Sequence, residues 1–240
     1  MAKQIGVLRV TGTLGGVTFK QDGTVAMKAP SRPVTSERTK ENNNEFAAAA
    51  KTGKVLREAL LPLEVGDRLL TTRMTQTVRR GISLDDTNER GKRTLSKNEA
   101  IAVLPGFELN GNSSLTTVMP SSIVADGSGI IIQNVLGATI KASDITMPSG
   151  GTHVQLRAIV ATVNLDPDTM TVVNVDFSST PESGGNAEMI LNPVLPVEVD
   201  PDPNLIRMAA IAIKFFQEVN GRFYQLQNGS YDAGRIITIL

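Results

Sequence analysis

The sequence predicts an α+β fold: an N-terminal β-hairpin, a small helical segment and a C-terminal antiparallel β-sandwich. Three observations carry that expectation. Apolar residues recur at steps of three and four between Phe46 and Leu63, as on one buried helix face. Beyond Phe107 the chain breaks into short β-branched runs separated by Gly, Pro, Asn and Asp turns. Two Asn-Gly pairs, Asn220-Gly221 and Asn228-Gly229, sit between apolar and aromatic runs near the end. Asn-Gly suits a type I′ turn, which needs φ > 0 at both central residues, so residues 205–240 read as a three-stranded closing meander. Five of the nine aromatic residues (Phe215, Phe216, Phe223, Tyr224 and Tyr231) lie there.

Taken in order, the chain divides into an N-terminal arm (1–34), a helical segment (35–105) and the sandwich (106–240). In the arm, Ile5 and Val7 belong to a first run. Val17-Thr-Phe19 and Thr24-Val-Ala-Met27 flank Asp22-Gly23, a second tight hairpin, and Gly12, Gly15 and Gly16 suggest a bulge or close backbone approach. Such a hairpin is marginal alone in water and must pack on its own chain or on a neighbour. Pro30 and Pro33 stiffen the connector.

A first helix should begin near Thr35 or Ser36 and bury Phe46, Ala49, Ala50, Gly53, Leu56, Leu60 and Leu63, with Pro62 and Gly66 ending or kinking it. Ala47–Ala50 and Gly53 keep that face slim enough for a second backbone to approach. A second helix is expected from Asp67 to Arg80 with Leu70, Met74 and Val78 inward and Gly81 as its stop. Residues 84–93 read as a charged loop. Ser96-Lys-Asn-Glu99 is a capping box opening a short third helix to about Leu104. Strands are then expected at 115–119, 130–135, 153–164, 170–176, 188–191 and 193–199.

Composition excludes much chemistry. Cysteine is absent, so disulfides, thiolate metal sites and a Cys nucleophile are ruled out. Histidine occurs once, at His153, where neither a multi-histidine site nor a nucleophile elbow supports it. Asp200, Asp202 and Asn204 alternate as calcium ligands do, but prolines fill the gaps and Ile211 stands at the twelfth position. No phosphate-cradling glycine loop of the Walker or dinucleotide type is present. The expectation is therefore a non-enzymatic protein with no cofactor and no metal. No small-molecule substrate is identified. No run is long and apolar enough for a membrane span, and no secretory signal opens the chain, so synthesis in the cytoplasm is expected.

The formal charge is zero but unevenly placed: residues 1–100 hold 18 Lys/Arg against 11 Asp/Glu, and residues 101–240 hold 6 against 13. A basic half can serve nucleic acid, but no recognition helix accompanies Arg68, Arg73, Arg79 and Arg80, which argues against that partner. Opposite-sign halves also suit head-to-tail association of identical copies.

Several stretches resemble a family of uncharacterised proteins associated with Bacteroidota and with phages. They are Gly12-Thr-Leu-Gly-Gly-Val-Thr-Phe19 with Asp22-Gly23, Arg38 through Phe46, Ala50-Lys-Thr-Gly-Lys54 with Leu56-Arg57, Gly106-Phe107-Glu108, and Phe216-Gln-Glu-Val-Asn-Gly221 with Tyr224 and Asn228-Gly-Ser230. The resemblance implies this domain order and no activity, cofactor or catalytic residue.

The function expected is structural: copies of the chain assemble into a filament, tube or phage-particle component, the partner being the protein itself. The arm, the charged 83–93 loop and surfaces of opposite sign would make the contacts, with Val7, Val17, Phe19, Met27, Arg79, Arg80, Arg90 and Arg93 as candidate interface residues. The alternatives are a sandwich module recognising a protein or glycan, and a nucleic-acid-associated protein using the basic half.

Overall fold

A computed structural model describes residues 2–3, 10–28, 36–119, 140–189, 202 and 204–239. The chain forms two compact units, residues 1–40 and 41–240. The expected strands at 130–135 and 193–199 lie outside the described residues, as does Val7.

The first unit is a small antiparallel sheet of β1 (Ala2–Lys3), β2 (Gly12–Leu14), β3 (Val17–Phe19) and β4 (Thr24–Met27), in the order β1-β4-β3-β2. The arm is thus two linked hairpins with a fourth short strand. Gly15 (φ 56) and Gly16 (φ 82) make the β2–β3 turn, a conformation that costs a residue with a Cβ about a kcal/mol or more. A Cβ added at Gly12, Gly15 or Gly16 would meet nothing within 4 Å, so these glycines serve backbone conformation and not a close approach, one of the two alternatives expected.

The second unit places α1 (Glu37–Leu60, its first residues in the preceding unit), α2 (Leu70–Ile82) and α3 (Lys97–Val103) before a curled antiparallel sheet. The α+β order read from the sequence holds. The sheet comprises β6 (His153–Asn164), β7 (Thr171–Ser179), β9 (Leu205–Val219), β10 (Arg222–Gln225) and β11 (Ala233–Ile239). A two-stranded ribbon pairs β5 (Ile140–Lys141) with β8 (Glu188–Met189).

Both faces of the central strands are buried, because successive side chains on a strand point opposite ways. Ile206, Met208, Ala210 and Ala212 of β9 join Ile159, Ala161 and Val163 of β6 under Leu56, Leu60, Met74, Val78 and Ile82 of the helices. Ala209, Ile211, Ile213 and Phe215 join Val154, Leu156, Ala158 and Val160 in a second core. That core is closed by α4 (Leu115–Val118) together with Ala142, Ile145 and Met189.

Four local expectations are corrected. Phe46 is 54% exposed and Glu45 is buried in its place, because Glu45 Oε1 accepts the Gly91 N–H at 3.0 Å. Gly81 lies inside α2 and not at its end. A Cβ there would press on Leu95 and Val103, so this glycine is what lets α3 come close. Residues 115–119 are a helical turn and not a strand. Leu115 and Val118, three apart, both face the core, and Glu108 accepts the Leu115 N–H and the Ser114 hydroxyl at the start of the turn.

The fourth concerns the second Asn-Gly pair. Asn220 (φ 53) and Gly221 (φ 75) do turn β9 into β10. Asn228-Gly229, however, makes no hairpin: β10 and β11 lie end to end along the same edge of β9, each antiparallel to it. Between them the chain makes a short excursion with Gln227, Asn228 and Gly229 all at positive φ. It is anchored by Asp232, only 1% exposed, which accepts the Phe215 N–H at 3.0 Å and the Gln225 amide at 2.6 Å.

Candidate functional site

Within the first unit, cross-strand register decides which side chains share a face. Leu14, Val17 and Met27 are opposite one another in one row, and Gly12, Phe19 and Val25 in the next. The other face carries Thr13, Thr18, Ala26 and Thr24, with the Thr13 and Thr18 hydroxyls 3.2 Å apart. One face is therefore apolar and the other largely polar. None of residues 10–28 is buried, and Leu14 and Met27 are 76% and 83% exposed. Of the candidate interface residues, Val17, Phe19 and Met27 come together on this apolar face. Leu14 and Val25 complete it. Alternation across the two turns was the signal that would have added them.

In the second unit, Arg73, Gln76, Thr77 and Arg80 of α2, with Ser83 just past its end, recur at steps of three and four and form one stripe. This stripe is one wall of a cavity of about 940 Å³; Val103, Pro105, Gly106 and Phe107 form the other. The second wall is held in place because residues 106–109 run along β11. Gly106 N–H donates to Ile236 O (2.8 Å), Ile236 N–H to Phe107 O (3.0 Å) and Leu109 N–H to Gly234 O (2.7 Å).

The charges lining this cavity are not equivalent. Arg73 is structural: its guanidinium donates to the Glu108 and Leu109 carbonyls (2.6 and 2.8 Å), pairs with Asp67 (3.0 Å) and lies over the Phe107 ring. Asp67 is held below the usual carboxylate range although desolvation acts the other way, because Gly111 N–H and Arg73 both donate to it. Glu108 is occupied by Ser114, Leu115 and, at 3.9 Å, Arg235. The Arg80 guanidinium donates only to the Thr77 hydroxyl at 3.2 Å, and among the described residues the Arg79 guanidinium has no hydrogen bond or ion pair. Arg79 also borders a second groove of about 380 Å³ between α1 and α2, beside Phe46, Thr72 and Thr75.

The charged 83–93 loop is tied to its own unit. Arg90 reaches Asn42 Oδ1 (2.9 Å) and Glu41 (3.5 Å) on α1, while Arg93 is half-buried with its Nε unbonded. Asp85 organises the loop: its carboxylate accepts the N–H groups of Thr87, Asn88 and Thr94 and the Asn88 side-chain amide. Desolvation is the largest single influence and would raise its pKa. The four donors together outweigh it and lower the value from the ordinary 3.8 to about 2.

A depressed acid contributes stability that is complete above its unfolded pKa and lost as pH falls through the folded one. Asp85→Ala should therefore cost about 2–3 kcal/mol near neutrality. The gap from the wild type should narrow between about pH 4 and about pH 2. Urea midpoints of both proteins across that range check this, and a gap independent of pH would contradict it.

Two further polar sites were open to a functional role. Lys214, 5% exposed, donates to Glu64 at 2.7 Å, and Arg157 reaches the same carboxylate at 2.9 Å; the Lys214 and Arg157 hydrogen bonds hold Glu64 below its ordinary pKa. The group closes the polar end of the helix-covered face. His153 packs on the Phe223 ring at 4.8 Å, with Nδ1 2.9 Å from Thr152 Oγ1 and Nε2 3.7 Å from Glu218. The acid–imidazole–hydroxyl sequence suggests a triad, but Thr152 Oγ1 already accepts the Glu218 N–H at 2.8 Å and ties the strand ends together. Among the described residues, no three His, Asp or Glu side chains are grouped to hold a metal ion, and no helix is long and apolar enough to cross a membrane. Asp202 accepts the Asn204 N–H at 2.8 Å, a turn within its own loop.

Compared with protein-family models, curated proteins and solved structures, the chain matches none.

Proposed function

We propose that this protein is a non-enzymatic structural subunit that associates with copies of itself into a filament, tube or phage-particle component. The N-terminal sheet is its adhesive element. The observation that carries this reading is the sheet's apolar face, on which Leu14, Val17, Phe19, Val25 and Met27 line up while none of residues 10–28 is buried. Apolar surface removed from water contributes roughly 25 cal/mol per Å², so leaving such a face in solvent wastes stability that a small sheet lacks. A second copy supplies an equivalent face. Surface charge of opposite sign in the two halves of the chain steers copies into one orientation.

The test is made on the full chain. The untagged protein should form ordered polymers by negative-stain electron microscopy and sediment accordingly. Leu14→Asp with Met27→Asp should leave the circular dichroism unchanged and shift the population to monomer, raising the assembly concentration about tenfold or more. A wild-type chain that stays monomeric at high concentration and low salt would sink the proposal.

A further inference from the structure

We propose that the arginine-lined cavity between α2 and residues 103–108 is a binding site for a phosphate monoester, with Arg79 and Arg80 contacting the phosphate. The inference starts from charge. Of the four charged groups lining the cavity, Arg73 is matched by Asp67 and Glu108 is engaged by Arg235 and two hydrogen bonds. Arg79 and Arg80 remain without a carboxylate partner among the described residues. Their position in the last turn of α2 suits the helix dipole, but a partial charge of about −0.5 leaves most of two unit charges uncompensated.

The chemistry of the missing partner follows from that balance. A phosphate monoester carries about −1.5 to −2 at neutral pH and presents several acceptor oxygens to guanidinium donors. A single carboxylate would match only one of the two arginines. Gln76 and Ser83 flank the arginines on the same wall and offer neutral hydrogen bonds. The opposite wall is Val103, Pro105 and Phe107, a surface suited to a flat or apolar body attached to the phosphate. The volume, about 940 Å³, lies within the range of small-molecule sites. Of the lining groups that could do chemistry, Glu108 is engaged by Ser114, Leu115 and Arg235, the Ser83 hydroxyl donates to the Arg79 carbonyl and the Thr77 hydroxyl accepts from Arg80, so binding alone is assigned to the site.

Adenosine monophosphate, inorganic phosphate and adenosine serve as probes, titrated calorimetrically into the full-length protein at low salt. Adenosine monophosphate should bind saturably and more tightly than inorganic phosphate, phosphate should compete with it, and adenosine should not bind measurably. Arg79→Gln and Arg80→Gln should each weaken binding about tenfold or more, since each removes a charge-assisted contact. Both side chains are exposed, so the variants should keep the wild-type melting curve, and Lys54→Gln on α1 should bind as the wild type does. No saturable binding of either phosphate probe would overturn the proposal. So would equal affinity for adenosine and its monophosphate, or undiminished binding by the double arginine variant. The inference is independent of self-assembly: the Leu14→Asp, Met27→Asp chain should bind adenosine monophosphate as the wild type does.

Discussion

Phe215→Ala should destabilise the protein by about 3–5 kcal/mol, the range for deleting a fully buried aromatic ring. Phe215 is completely buried in the second core, where Val154 of β6 lies opposite it in the sheet. Close packing leaves its neighbours little room to collapse into the space, so the cavity cost adds to the lost transfer energy. The measurement is a urea titration: the midpoint should fall while the slope, which reports the surface exposed on unfolding, stays the same. A loss below about 1 kcal/mol would mean that this face is loosely packed.

Asp232→Ala should cost about 3 kcal/mol, from two donors left unsatisfied in a dry setting at roughly 1–3 kcal/mol each. The donors are the Phe215 N–H, within β9, and the Gln225 amide, at the start of the excursion between β10 and β11. Asn110 braces the same segment by donating to the Asp232 carbonyl at 2.7 Å and the Ser230 carbonyl at 3.1 Å. Burial pushes the Asp232 carboxyl up from its ordinary range, against the hydrogen bonds it accepts. The sign is thus opposite to that of Asp85. The folded state holds the proton more readily than the unfolded one, so the charged form weighs against stability at high pH, and that penalty disappears as pH falls through the raised pKa. The gap between wild type and Asp232→Ala should consequently widen on mild acidification, above about pH 4, whereas the gap for Asp85→Ala narrows below it. Parallel urea titrations of the two variants decide the matter, and gaps moving in the same direction would contradict it.

The sequence was most legible where one periodicity dominated. β6 runs from His153 to Asn164, as its run rich in valine, isoleucine and other apolar residues suggests, and Ser96 with Glu99 opens α3 through a capping box. Gly53 sits where the first helix was expected to be slim; a Cβ there would lie 3.6 Å from the Thr75 Cα of α2. Two of the misses share a cause, a distant polar partner that overrides a local signal. Glu45 displaces Phe46 from the core because Gly91, far along the chain, needs an acceptor. Asn228-Gly229 fails to make a hairpin because Asp232 and Asn110 hold the chain elsewhere.

The candidate sites divide in the same way. The apolar face of the N-terminal sheet follows from alternation and two turn signals, so three of its residues were named in advance. Arg79 and Arg80 were also named in advance, as interface residues and within a basic surface, but which arginines would meet a phosphate was not legible, because it depends on which of them lack partners. Arg73 and Arg79 look alike in sequence, yet the first is consumed by the Glu108 and Leu109 carbonyls and Asp67, while the second is not.

The double burial of β9 has a consequence for how the chain finds its pairing. Where only one face of a strand is apolar, sliding it by one residue turns that face to water and is strongly penalised. From Met208 to Ile213 β9 is apolar on both faces, so a slip would trade one greasy set for another and hydrophobicity alone would barely object. The marks that distinguish the right alignment are polar: Lys214 finds Glu64, and the Phe215 amide finds Asp232, in only one frame. These side chains work as alignment pins for a strand that is otherwise nearly symmetric. Losing either would yield misaligned chains during refolding as well as a weaker native state.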